Sequence, residues 1–278
     1  MADLLCTVRG CGERLVRQDR TWRCSGGHAF DIARAGHVNL LQPQDRKSLR
    51  PGDAPEAVAA RRRFLERGFE RVLVTALRDI IAAHAPARRL AMLDIGCGEG
   101  HFLRGVSMER DVEAHGVDIS PAAVEAATRS QSTATFVVAN ADRGLPHADG
   151  AFDIVMSINA RLPVGEMRRV LRDDGFAIIV VPAPDDLLEL RQAVLGEGWQ
   201  HSRLERVRGE MGEAFDEMGE RRVSDRVRME VADLRDALLM TYRGARHSQQ
   251  ERVESLTAMD ITVAHDVTWW CPVIETAA

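Results

Sequence analysis

The sequence predicts an α/β fold, a mostly parallel sheet with helices on both faces, preceded by a small Cys/Gly-rich head. Three observations predict it. From residue 90 onward short apolar runs alternate with amphipathic ones, at the spacing of strand–helix units. A glycine-rich turn (Gly96, Gly98, Gly100) joins the first of these strands to the helix after it. Three of the five cysteines fall within the first 24 residues, ahead of any run able to build a core.

Taken in order, residues 1–35 are too short and polar to bury much of a core, so a metal would have to hold them. Residues 36–54 read as a linker, with Gln42-Pro43-Gln44 and Arg50-Pro51-Gly52-Asp53. A single helical pattern runs from Pro55 to His84 and stops just before Pro86, where the ring would break it. Ala91 to Ile95 is a short apolar strand, followed by the glycine turn and a helix. Val112 to Val117 is the second strand, and Pro121 to Arg129 the helix behind it. Thr135 to Ala139, Phe152 to Ile158 and Phe176 to Val181 are further strands, with helices over Gly165–Leu171 and Asp185–Leu195. The segment 200–220 is charged and reads as helix. Val223–Val231 and Ile261–Trp270 read as late strands, the last with Ile261, Val263, Asp266 and Val267 taken as its alternating pattern. The division is a head over 1–35, a linker and helix over 36–88, and a main domain over 89–278.

Of the 278 residues 45% are hydrophobic and 28% charged, ordinary values for a globular chain. No apolar run approaches the roughly 18 residues that span a bilayer. The first residues lack the basic-then-apolar pattern of a secretory signal. The expectation is a cytoplasmic protein with no membrane partner. Residues 1–71 hold 14 basic and 9 acidic side chains, a net of +5, so the remainder carries −10 of the chain's overall −5. A basic head on an acidic body suits a polyanion; a routine solvated surface is the plainer alternative. Arg61, Arg62 and Arg63 fall on a helix and can simply face water.

An odd, clustered cysteine count points to metal rather than disulfides. Cys6-x4-Cys11 and Cys24-x3-His28 offer four ligand-type side chains in two tight turns. Zinc takes four such ligands in a tetrahedron, and a full protein shell makes the site structural rather than catalytic.

The run Leu93-Asp94-Ile95-Gly96-Cys97-Gly98-Glu99-Gly100 follows a strand and precedes a helix. Its glycines let the backbone pass close under a ligand. Asp94, at the strand's end, can accept from a cationic amine. Asp118 ends the next strand, where a carboxylate can accept both ribose hydroxyls, with Ile119 beside it. Asn140 and Ala141, past the third strand, fall where an adenine edge would sit. His101 and Phe102 open the helix after the loop, placed to touch a cofactor or to pack beneath it. Dinucleotide enzymes use similar turns, usually with a different third-glycine spacing. Cys97 reads as a small filler in this loop.

With Leu145-Pro146 and Asp149-Gly150-Ala151-Phe152-Asp153, this set resembles class I (Rossmann-like) S-adenosylmethionine (SAM)-dependent methyltransferases. The whole chain resembles the bacterial 23S rRNA guanine-N1 methyltransferases, which include members that confer macrolide resistance. The matching motifs are Cys24-x3-His28-x-Phe30-Asp31, Gly36-His37-Val38-Asn39-Leu40-Leu41 and Arg50-Pro51-Gly52-Asp53. Ala60-Arg61-Arg62, Phe64-Leu65, Gly68 and Leu239-Met240-Thr241 extend the likeness. The resemblance implies SAM and a structural Zn2+ as cofactors, an rRNA hairpin loop as partner, and a homodimer whose cleft takes the RNA.

The chain departs from the family at the positions around the target base. Glu70 stands where the family has Tyr. Asn159-Ala160-Arg161 replaces an aromatic-Ala-Pro, Asp186 a His, and Tyr242 a Pro. Asn159 can hold an N–H through its side-chain oxygen, and Arg161 can meet a phosphate or carboxylate. These two are the candidate catalytic residues. Extra carboxylates at Glu70, Asp185 and Asp186 would welcome a cationic substrate, so a small-molecule acceptor from antibiotic biosynthesis is the alternative. Acids opening a helix, as Asp185 and Asp186 are expected to do, are favoured there anyway.

Overall fold

The alternation from residue 90 onward builds an eight-stranded sheet. A computed structural model describes residues 2–46, 48, 51–108, 110–196, 202–240, 252 and 254–274. Arg50, Thr241 and Tyr242 of the motifs above lie outside them. In the head, β1 (Val16–Gln18), β2 (Thr21–Arg23) and β3 (Ala29–Asp31) form a three-stranded sheet. The linker adds β4 (Val38–Asn39), and helices α1 (Pro55–Glu66) and α2 (Arg71–His84) follow. The body then runs β5 (Leu90–Ile95), α3 (His101–Ser107), β6 (Val112–Asp118), α4 (Pro121–Ser130), β7 (Thr135–Val138), β8 (Phe152–Ile158), α5 (Val164–Val170) and β9 (Leu171–Pro182). It ends with α6 (Leu188–Leu195), α7 (Leu204–Met211), β10 (Phe215–Met229), α8 (Val231–Leu239) and β11 (Met259–Pro272).

The strand order is β10-β11-β9-β8-β5-β6-β7-β4. Pairing is parallel from β4 across to β9, and β11 runs antiparallel to both β9 and β10. The central strands are apolar without interruption because helices cover both faces; every residue of β5 and of β8 is buried. Helix α2 buries Leu73, Ala76, Leu77, Ile80 and Ile81, the 3.6-residue stripe, against this sheet. Helix α4 starts at Ser120, whose hydroxyl accepts from Ala123 N at 3.3 Å, with Pro121 at the first helical position.

Four expectations need correction. The helix over 55–84 is two helices. Gly68, at φ +84°, takes the left-handed conformation that ends α1, and its N–H donates to Leu65 O at 3.0 Å. The segment 200–220 is helical only over α7; residues 215–220 open a 15-residue strand. That strand is the sheet's edge, so its outward positions are charged like a solvated helix, which also blunts edge pairing. Val231 starts α8 instead of ending a strand, because Glu230 and Asp233 form a reciprocal capping box there. Asp185 and Asp186 precede α6 instead of opening it.

The head is docked on the body. Leu4, Cys6, Leu15 and Cys24 share an apolar cluster with Val38, Leu40, Val137 and Leu145. Leu5 N donates to Pro146 O at 3.0 Å. On the other side, α1 packs on α8 through Phe64 and Leu65 against Leu234 and Leu238. Two ion pairs clamp that contact, Arg63–Asp236 at 2.5 Å and Arg67–Asp233 at 2.9 Å. No helix among the described residues is long and apolar enough to cross a membrane.

Candidate active site and metal centre

The head's strands are three residues each, too short to hold a sheet by themselves. Cys6 and Cys11 come from the loop before β1, Cys24 and His28 from the β2–β3 turn. That turn needs Gly27, whose φ is +83°. His28 Nδ1 lies 3.5 Å from Cys6 Sγ and 3.4 Å from Cys24 Sγ, and the sulfurs of Cys11 and Cys24 are 3.8 Å apart. All four donor atoms fall within 4.8 Å of one another. A tetrahedral zinc with bonds of about 2.0–2.3 Å sets its ligand atoms about 3.3–3.8 Å apart. The donor set fits a structural zinc, with no open position for chemistry.

The second site is a cavity in two lobes over the C-terminal ends of β5, β6 and β8. The larger lobe, about 410 Å³, brings together Asp118, Ile119, Asn140, Ala141 and Arg161. The smaller, about 160 Å³, brings together Glu70, Asp94, Gly98, Phe102, Asp186 and Met240. Arg61, Gly96, Ile158 and Asn159 belong to both.

Gly96 and Gly98 have φ of +74° and +55°. A Cβ at Gly96 would overlap the Ala160 methyl, and one at Gly98 would sit 3.3 Å from the Arg61 guanidinium. The loop is therefore a floor that no side chain could share with a ligand. Gly100 lies away from the cavity. A Cβ there would meet Ala127 and Phe136, so this glycine serves helix–strand packing rather than a cofactor. His101 also turns aside, toward Arg62 and Glu66, while its neighbour Phe102 lines the smaller lobe.

Asp94 is 1% exposed and its Oδ1 has no partner. Burial, then the charges of Asp118 and Glu99, push its carboxyl up to about 8. A cationic amine would supply both the missing hydrogen bond and the missing charge. Asp118 accepts from Gly98 N at 3.0 Å and Ser120 N at 2.8 Å, which aims its carboxylate into the larger lobe. Burial still raises its pKa. Asn140 is already engaged, since its Nδ2 donates to Asp45 O at 2.7 Å. It ties the linker against the lobe and leaves the wall itself to Ile119 and Ala141. Asn159 stands at φ +53° beside the glycine floor. Arg161 is at the rim, 80% exposed, with Asp142 at 3.7 Å.

Three groups come to the site that sequence reading did not assemble. Arg61 is not a solvated helix residue; it reaches over Gly98, lies 3.4 Å from Asp53 and sets its charge against Glu99 and Asp118. The linker reaches the site because Gly52 crosses Ser120 so closely that a Cβ would stand 2.7 Å from its backbone N. Glu70 pairs with His265, its oxygens 2.8 and 3.0 Å from Nε2, both residues buried. Burial opposes charge on His265, yet the Glu70 carboxylate beside it raises the imidazole above its ordinary value. Asp186 is half-buried and accepts from Ala264 N at 3.0 Å. His265 had one signal in the sequence: it shares the parity of Ile261, Val263 and Val267, the core face of its strand.

A zinc-ribbon profile described as "RlmA, N-terminal" matches residues 6–49, and one described as "Methyltransferase domain" matches residues 92–175. The 23S rRNA (guanine(748)-N(1))-methyltransferase of Streptomyces fradiae is 34% identical over 226 residues, covering 79% of this chain and 78% of that one. The chain belongs to the 23S rRNA (guanine-N1)-methyltransferase family. A Micromonospora griseorubida protein is 35% identical over 211 residues, with 67% of this chain and 68% of that one covered. A solved Bacillus halodurans structure matches with TM-score 0.50 at 14% identity, over 70% of this chain and 98% of that one, and shows the fold alone. The chain is thus a class I SAM-dependent methyltransferase carrying a structural zinc.

Proposed function

We propose that the chain transfers a methyl group from SAM to N1 of a guanine in a 23S rRNA hairpin loop. The observation that carries this reading is likeness to the Streptomyces fradiae enzyme over 79% of the chain, together with the zinc-ribbon match over residues 6–49. SAM, when bound, supplies an electrophilic methyl on a sulfonium. The chain's own residues bind, orient and exclude water. Asp94 takes the ammonium end and Arg61 the carboxylate. Asp118 takes the ribose hydroxyls, with Ile119, Asn140 and Ala141 around the adenine. Asn159 holds the acceptor's edge through its amide oxygen, and Arg161 meets a phosphate at the rim. The basic head grips the RNA backbone, and flipping the guanine out costs about a few kcal/mol. The working division is head 1–35, linker and helix 36–88, and catalytic domain 89–278, acting as a homodimer in the cytoplasm.

One observation favours a second reading. The smaller lobe gathers Glu70, Asp94, Glu99 and Asp186, which suits a cationic small-molecule acceptor better than a polyanion. Label from methyl-labelled SAM decides between them. Label in unmodified 23S rRNA, mapped to a guanine N1 and lost in Asp118→Ala, establishes the first. Label only in basic small molecules establishes the second. If the first holds, expression in a macrolide-sensitive host tests for resistance.

A further inference from the structure

The smaller lobe contains a chemistry that binding alone does not explain. Guanine N1 carries a proton at neutral pH, and it must leave as the nitrogen attacks. Asp94 and Asp118 are engaged with the cofactor end, and Asn159 and Arg161 have no basic group to offer. Of the other carboxylates lining this lobe, Glu70 is committed to His265 and Glu99 belongs to the glycine loop, which leaves Asp186. Asp186 sits in the turn after β9, and its Oδ1 accepts from Ala264 N at 3.0 Å. The following residue, Leu187, is held at φ +50°, a conformation that costs a branched side chain about 1–3 kcal/mol. Leu187 N donates to Thr262 O at 2.8 Å and Asp186 N to Ala183 O at 3.1 Å, so the strained turn is tied on both sides. Two of the three described non-glycine residues with positive φ, Asn159 and Leu187, thus border this one lobe.

We infer that Asp186 is the general base of the reaction, a catalytic residue that accepts the N1 proton of the target guanine. The inference rests on the guanine-N1 reading above. The electron pair of the N1–H bond stays on nitrogen and forms the new N1–CH3 bond. The C–S bond electrons leave with sulfur as a neutral thioether, and the proton ends on the Asp186 carboxylate. The surroundings suit that task. Glu70, at the start of α2, and His265, on β11, form a buried pair beside it. Asp266 on β11 pairs with Arg222 of β10 at 3.1 Å, and Arg191 of α6 donates to Pro184 O at 2.8 Å. Asp94 of β5 and Arg61 of α1 face the same lobe from the cofactor side. Within this set burial, reinforced by the Glu70 charge, lifts Asp186 to about 6, near the working pH where a base is most effective.

The test compares wild-type protein with Asp186→Asn on an unmodified 23S rRNA fragment. The readouts are kcat against pH and, separately, SAM affinity by calorimetry. The expected result is a fall in kcat of roughly 100-fold or more, with SAM affinity within about twofold. The wild-type kcat should rise from the acid side with a midpoint near 6, a limb that Asp186→Asn lacks. Asp186→Glu should recover part of the rate, and formate should rescue Asp186→Ala. A purely structural carboxylate would give neither recovery. A kcat within threefold of wild type overturns the inference, as does a loss confined to SAM affinity, which would make Asp186 a cofactor ligand. A wild-type protein that labels no guanine N1 at all overturns the functional reading itself, whatever the variants do.

Discussion

Asp94 and Glu70 are buried acids with opposite situations: one waits for a partner, the other has His265. In the free protein Asp94 holds its proton up to about pH 8. A bound ammonium selects the ionised form, so SAM binding should tighten as pH rises toward 8 and gain nothing more from Asp94 above it, with a proton released on binding below it. Calorimetry in buffers of different ionisation enthalpy reads both. Asp94→Asn should remove the pH dependence and weaken binding by about 1.5–3 kcal/mol, the worth of a hydrogen bond to a charge. Glu70 works in reverse through His265, whose folded pKa lies above its unfolded one. The pair's stabilisation is full below the unfolded value of about 6.5 and is lost as pH rises through the folded one. Glu70→Gln should therefore cost about 3 kcal/mol at pH 6, as breaking buried pairs does, and clearly less at pH 9. Equal urea midpoints for the variant and wild type at pH 6 would refute this.

At the scale of elements, the zinc turns and the glycine floor were legible because each is short, local and dictated by one chemical need. So were five of the six parallel strands, all but the two-residue β4, which read as linker. What stayed hidden depended on neighbours. The break at Gly68 sits between two good helix sequences, and nothing local says whether the chain turns there or runs on. Strand β10 carries Glu217, Glu220, Arg221 and Arg222, which look helical until β11 is laid beside them. The metal centre makes its own prediction. Cys24 shares one apolar cluster with Leu15 and Val38, so stripping the zinc should loosen more than the two turns. A chelator should release one zinc per chain and open the amides of β1–β4 to hydrogen exchange, while those of β5 and β8 stay protected. Protection unchanged throughout would mean the apolar cluster alone holds the head.

Across the whole molecule, the cofactor half of the site is local in the chain and the acceptor half is not. Asp94, Gly96, Gly98 and Asp118 lie within 25 residues. Glu70 and His265 are 195 residues apart, and only the antiparallel return of β11 past β9 unites them. That is why the cofactor loop was readable from spacing while the His265 partner of Glu70 was not. The charge asymmetry gives a test at the same scale. Arg17 and Arg23 are exposed on the head. Charge reversal at both should weaken binding of the rRNA fragment by about 10–100-fold at low salt and flatten its salt dependence by about two counterions. SAM affinity should not change; if it does, the head is not a separate grip.

The two-residue strand β4 has a consequence for how the protein comes into being. Its partner β7 lies about 100 residues further along the chain. At about 5–20 residues per second, a ribosome needs roughly 5–20 s to deliver that partner. During those seconds Val38 has only its bridge to Ile32 within the head and Leu40 N has no Val138 carbonyl to meet, which leaves the metal as the newborn head's main brace. The sheet is closed at that edge only when β7 emerges, so zinc must be captured early, while most of the enzyme has yet to be made.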